Sequence, residues 1–350
     1  MLTTLSEPTL ALLIGMAGGL VLGLAARLGR FCTLGAIEDA LYAQRYDRLA
    51  MWGVAIGTAI IGTQFAVAFG ALDPRDTLYI ATSGAVVAAI VGGLIFGYGM
   101  ALCGNCGYGA LARLGGGDLR SMVIVLVMGL GAYITLSGPL ALPRMALFGT
   151  PDPTAALTGP AQTLALILPL HAAIIGIALG ALILALGLWP LAKSKAHAAA
   201  FWGICVGGAI VSGWTGTAWV ARTGFDDLPV VSHTFSAPVG ETLLYAMTST
   251  GNSLSFGIGS VAGVLIGAFA GSLLKGHFRW EACDDPRELK RQILGAFIMG
   301  MGAVIATGCS IGQGITGLSL LTWTAPLTLI STFVGSAAGL KILIGGYQNI

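Results

Sequence analysis

These 350 residues predict an all-α polytopic membrane protein of about nine transmembrane helices with re-entrant segments, arranged as two inverted-topology repeats. Three observations carry that expectation. First, 56% of the chain is hydrophobic and only 9% is charged, against roughly 25% charged in an ordinary soluble domain, which excludes a water-soluble enzyme. Second, windows of near twenty residues with almost no charge recur from end to end, the length a helix needs to cross about 30 Å of hydrocarbon. Third, 54 glycines, about twice the usual share of about 7%, sit inside the apolar runs and read as close helix contacts in lipid. A β-barrel is excluded because no ten-residue alternation appears. With 17 Lys and Arg against 15 Asp and Glu the net charge is only +2, so there is no basic face for a nucleic-acid partner.

The apolar windows fall near 9–26, 50–71, 79–101, 121–140, 162–189, 201–219, 254–274, 292–308 and 325–346. The first follows Glu7 rather than a basic region and lacks a small-residue cleavage site, so it is expected to stay as a membrane helix. Positive charge falls in alternate gaps: Arg45 and Arg48, Arg113 and Arg120, Lys193 and Lys195, then Lys275 through Arg291. These gaps are the expected cytoplasmic sides, which places the N-terminus outside and the C-terminus inside. The others, Asp73 to Asp76, Pro143 to Pro160 and Arg222 to Glu241, are neutral or acidic taken together.

Two segments superpose at an offset of 203 residues. Gly97-Tyr98-Gly99, six residues and Cys106 match Gly300-Met301-Gly302, six residues and Cys309. Each apolar helix is followed by a Gly-rich, hydroxyl-bearing stretch too short to span, 104–109 and 308–317. Five crossings separate the copies, so they enter the membrane in opposite orientations. The expected division is one integral membrane domain in two half-bundles, 1–150 with Cys32 and Cys106, and 151–350 with Cys309. Interrupted segments at matching places in two inverted halves are the best sequence pointer to a transporter's substrate site. The bland alternative is a pair of interhelical turns.

Of the six cysteines, five lie in or beside apolar runs, which argues against a disulfide frame. Cys283 sits in a polar loop and Cys205 reads as a small core residue. Cys32, in Arg30-Phe31-Cys32-Thr33-Leu34-Gly35, is a third cysteine at an element break, with no cysteine counterpart in the second half. One thiol per constriction suggests a relay past Cys32, Cys106 and Cys309. Two rivals stand beside it. Cys103 and Cys106 form the C-x-x-C of a membrane thiol-disulfide protein, and cysteines with ten methionines suit a soft metal, although no M-x-x-M appears. Arg30 and Arg113 either attract an anion or anchor to headgroups. Glu38 and Asp39 either pair with Arg45 or serve a proton step. His171, alone in an apolar helix, and His233, in an outside segment with Glu241, lack the spacing of metal ligands. No metal or cofactor is expected, and Gly115 to Gly117 lack the Lys-Ser/Thr of a phosphate loop.

Arg30-Phe31-Cys32, the run from Cys106 to Arg113-Leu114-Gly115-Gly116-Gly117-Asp118, and the Gly308 to Gly317 motif resemble the three cysteine motifs of the YeeE/YedE family of bacterial sulfur-compound transporters. The resemblance covers nearly the whole chain. It implies thiosulfate import across the inner membrane through an hourglass-shaped bundle, with Cys32, Cys106 and Cys309 contacting the ion in turn. Asn105, Gly107, Arg113, Ser310, Gln313 and Thr316 would support the path, and a TusA-like sulfur-transfer protein would act in the cytoplasm. Cys103 is an addition to the pattern, and family members differ in cargo, selenium compounds included. The chemistry agrees. Thiosulfate is a dianion with a soft terminal sulfur, to which a neutral thiol donates a weak hydrogen bond and which a thiolate would repel. Half-helices starting after Gly107 and Gly312 would aim free N–H groups at it, and contacts that weak release the ion again.

Overall fold

The computed structural model describes residues 6–81, 85–149, 159–167, 171–282 and 285–347. Among them there are no strands, and the α-helices run in order as α1 (Glu7–Leu28), α2 (Thr33–Leu41), α3 (Asp47–Ala68), α4 (Leu78–Ala81), α5 (Val86–Cys103), α6 (Gly107–Gly115), α7 (Leu119–Leu136), α8 (Ala141–Phe148), α9 (Pro160–Ile167), α10 (Ala172–Lys193), α11 (His197–Thr223), α12 (Ser236–Thr248), α13 (Phe256–Leu274), α14 (Pro286–Ile305) and α15 (Thr324–Tyr347). A π-helical turn, Gly312–Gly317, lies between α14 and α15. Cys283 and much of the Pro143 to Pro160 gap lie outside the described residues.

The nine helices of eighteen residues or more among the described residues, α1, α3, α5, α7, α10, α11, α13, α14 and α15, correspond to the nine apolar windows. Eight spans are long and apolar enough to cross a membrane. The exception, α14, is capped by Asp285 and begins with the charged turns of Arg287, Glu288, Lys290 and Arg291, which leaves its apolar part short. The window 162–189 is a correction in shape. It is not one helix, because the backbone is extended at His171 and α10 starts afresh at Ala172. His171 is accordingly not inside an apolar helix. It is the exposed N-cap of α10, with Nδ1 accepting from the Ala173 N–H at 3.4 Å.

Outward faces carry large apolar side chains such as Leu182, Leu186, Trp189, Ile330 and Val334, as lipid requires. The interior holds what lipid excludes: Thr33, Asn105, His233, Ser310, Gln313, Thr316 and Ser319 are all buried. Packing is close because the contacts are glycine. Along α1, Gly15, Gly19 and Gly23 face α13 backbone, and along α13, Gly259, Gly263 and Gly267 face α1 backbone. Helices α5 and α14 run antiparallel, with Gly92 against Ala306 and Gly99 against Met299. The chain after α5 and the chain after α14 therefore start from opposite ends of that pair. Cys205 corrects the expectation of a core residue. It is only half-buried, on an α11 face shared with exposed Phe201 and Ile204.

Candidate functional site

Each of the three element-break cysteines caps a short helix. Cys32 is the N-cap of α2, with Sγ accepting from the Gly35 N–H at 3.5 Å. Cys106 is the N-cap of α6, with Sγ accepting from the Gly109 N–H at 3.3 Å. Cys309 Sγ accepts from the Gly312 N–H at 3.5 Å, at the head of the helical stretch 310–319. The local cause is a shared Cys-x-x-Gly: extended backbone at a cap, a polar atom on Cβ for the third N–H of the helix, and a glycine that leaves the sulfur uncovered. Because each sulfur accepts from backbone, its S–H remains as a donor for something else.

The three caps converge. Thr33, the first residue of α2, donates to Cys106 Sγ at 3.7 Å and to Ser310 Oγ at 3.0 Å. Thr234 Oγ1 lies 3.6 Å from Cys309 Sγ. Aromatic rings wall this point, with Phe31 stacked on Trp52 at 4.9 Å and Tyr108 tilted over Phe235 at 5.4 Å.

A cavity leads to the caps from each end of the α5/α14 pair. One, of about 330 Å³, is lined by Cys32, Asn105 and Gly109 together with Arg27, Arg30, Arg48, Arg113 and Lys275, against the single carboxylate of Glu38. Another of about 330 Å³, at the end of α14, is lined by Tyr79, Thr234, Ser236, Thr307 and Gly308, with Arg144 as its cation. Beside it a third, of about 320 Å³, shares Ser232 and Thr234 and includes Glu241. Burial pushes the Glu241 carboxyl above its ordinary range, opposed by the Ser255 hydroxyl.

The supporting residues sort differently from one another. Asn105 is buried at the charged cavity with Oδ1 unpartnered, and Arg113 lines the same cavity. Gly107 opens α6 as expected, but the second short helix begins at Ser310 rather than after Gly312, because Cys309 and not a glycine supplies its cap. Ser310 touches Thr33 at the convergence. Gln313 turns back to the Ala306 carbonyl at 2.9 Å and Thr307 Oγ1 at 2.7 Å, with Oε1 unpartnered. Thr316 braces the loop before α12 by donating to the His233 carbonyl at 2.7 Å. His233 is fully buried, with Nδ1 2.7 Å from Ser260 Oγ. Asp39 pairs with Arg48 at 3.3 Å, and Arg45 pairs with Asp47 instead. The C-x-x-C pair does not face itself. Cys103 donates to the Gln292 carbonyl of α14 at 3.3 Å while Cys106 turns to α2 and α6, and both are free thiols.

A family model described as sulphur transport matches residues 28–338. A thiosulfate transporter of Spirochaeta thermophila is 26% identical over 334 residues, covering 90% of this chain and 95% of the relative. A thiosulfate transporter of Escherichia coli is 25% identical over 349 residues, covering 93% and 92%. With a family match across most of its length on top of membrane-spanning architecture and three thiol-capped helix starts, this chain belongs to the sulphur transport family.

Proposed function

We propose that this protein imports thiosulfate, or a closely related sulfur anion, across the bacterial inner membrane, passing it by Cys309, Cys106 and Cys32 in turn. The observation that carries the reading is the convergence of three thiol-capped helix starts between two cavities at opposite ends of the α5/α14 pair. Short helices bring partial positive charge, the thiols bring donors matched to soft sulfur, and neither holds the ion long. Both relatives named above are thiosulfate transporters. The cavity lined by five cations would lie on the cytoplasmic side, where the ion leaves toward a TusA-like sulfur-transfer protein. Reconstituted vesicles should take up labelled thiosulfate above empty vesicles, with chloride a poor competitor. A protein that changes copper or silver tolerance and moves no thiosulfate would instead be a soft-metal channel.

The same reading divides the chain into inverted repeats, 1–150 and 151–350. In support, the 203-residue offset carries α2 onto α12 and α5 onto α14, and pairs Cys32 with Phe235 and Glu38 with Glu241. Packing reciprocates as well: α1 lies on α13 and α11 on α3, while α5 lies on α15 and α14 on α7. Within the second half the copy itself would begin at α11, with α10 as the connecting crossing. With the N-terminus outside, a cysteine placed at exposed Asp227 should react with an impermeant maleimide in intact spheroplasts, and one at exposed Lys195 should not. Labelling at Lys195 alone would turn the bundle over.

A further inference from the structure

Four short helices approach the centre or its vestibules, and three of them begin under a cysteine sulfur. The fourth, α12, thirteen residues long, has Phe235 as its N-cap and no side-chain cap at all. Its first residue, Ser236, is 2% exposed, and its Oγ has no hydrogen-bond partner although it lines the cavity that ends at Gly308. Among the described residues, the Ser236 and Ala237 N–H groups likewise donate to nothing, while Pro238 has none to satisfy. A buried hydroxyl and the amides of buried Ser236 and half-buried Ala237, left open at a helix start, normally find an acceptor. An anion is the ligand this geometry and its dipole favour.

The position is suited to passage. A Cβ built on Gly107, the first residue under the Cys106 cap, would sit 3.9 Å from Ser236 Oγ. Thr234, two residues before Ser236, touches Cys309 Sγ at 3.6 Å. We propose that the start of α12 is an oxyanion subsite of the transport path, the Ser236 hydroxyl and the Ser236 and Ala237 amides holding the oxygen face of a tetrahedral sulfur anion between Cys309 and Cys106. This deepens the thiosulfate reading and rests on it. A thiol is a poor partner for hard oxygens, and a hydroxyl with amides is a poor partner for soft sulfur, so the two kinds of donor together select an ion that carries both ends. The aromatic Phe235, standing where the 203-residue offset would put a second Cys32, is what leaves α12 uncapped for that purpose.

Threonine and valine at position 236 have the same shape and differ by the hydroxyl, so they separate the site from its packing. Ser236→Val should raise the KM for thiosulfate about tenfold or more, the scale of a lost hydrogen bond to a charged group, with maximal uptake rate within about twofold. Ser236→Thr should stay near the parent. Sulfate has the oxygen face without the soft sulfur. It should inhibit parent uptake competitively, raise the Tm of the purified parent protein, and do neither for Ser236→Val. Equal KM values and equal sulfate effects in the Thr and Val proteins would overturn the subsite. A parent that moves no thiosulfate yet shows the hydroxyl-dependent sulfate shift would overturn the thiosulfate reading and leave the subsite standing.

Discussion

A Cys106→Asp protein is expected to fold, reach the membrane and take up thiosulfate at least about a thousandfold more slowly than the parent. Aspartate is among the best N-cap residues, so α6 keeps a side-chain acceptor for the Gly109 N–H that Cys106 Sγ now holds at 3.3 Å. What changes is charge. Cys106 is fully buried, and Thr33 ties its sulfur to the same point as Ser310, so an ion crossing there cannot avoid it. Two unit charges about 4 Å apart repel by roughly 4 kcal/mol at an effective dielectric of about 20, and thiosulfate carries two. Since about 1.4 kcal/mol is a factor of ten in rate, one such pair already gives the thousandfold. Cys106→Ala should be inactive for a different reason, the loss of the S–H donor, at a folding cost of about 1 kcal/mol for the missing cap. Cys106→Ser should keep a trace, because a hydroxyl both caps and donates. Uptake in vesicles, with protein amount fixed by quantitative blotting, reads all three. Parental activity in the Ala or Asp protein would end the relay.

Much of this site was legible because the signals were periodic or repeated. Apolar windows give helix number directly, since crossing a bilayer demands length, and Gly-x-Gly followed at equal spacing by Cys106 and Cys309 exposed the two breaks. The capping role of the cysteines was less visible. Cysteine is not a favoured cap, so helix-start rules pass over it, and the signal that would have found it is Cys-x-x-Gly at a break between elements, at residues 32–35, 106–109 and 309–312, the fourth match at 205–208 lying inside α11. That signal would also have started the last short helix at Ser310 instead of after Gly312.

Other features were hidden for physical reasons. The run 162–189 is uniformly apolar, so hydropathy does not register that His171 caps a new helix within it. Cys205 looked like core because in lipid the outward face is as apolar as the inner one. Ser236 carried no motif at all. It stands out only when the other three helix starts are seen to be capped and this one is not.

A Gly19→Val,Gly263→Val double replacement is expected to prevent folding. Gly15, Gly19 and Gly23 repeat every four residues on α1, and Gly259, Gly263 and Gly267 do the same on α13, a doubled small-residue motif that brings two helix backbones together in lipid. A Cβ on Gly19 would meet the Ser260 carbonyl, and one on Gly263 the Met16 carbonyl, both far inside contact distance. These obstacles are backbone inside regular helices, so no rotamer change relieves them and α1 must move off α13. Overpacked side-chain atoms cost about 1–3 kcal/mol where neighbours can give. Two sites that cannot give reach into a total stability of about 5–15 kcal/mol. The displacement would also carry α2 and its Cys32 cap away from the convergence, because only Gly29 to Cys32 join α2 to α1. Gly208, with nothing within 4 Å of a built Cβ, is the control, and Gly208→Val should solubilise as the parent does. The monodisperse fraction after detergent extraction is the measurement. A double variant that elutes as the parent and still transports would show that α1 and α13 tolerate wider separation, and that the glycine seam does not set the geometry of the thiol path.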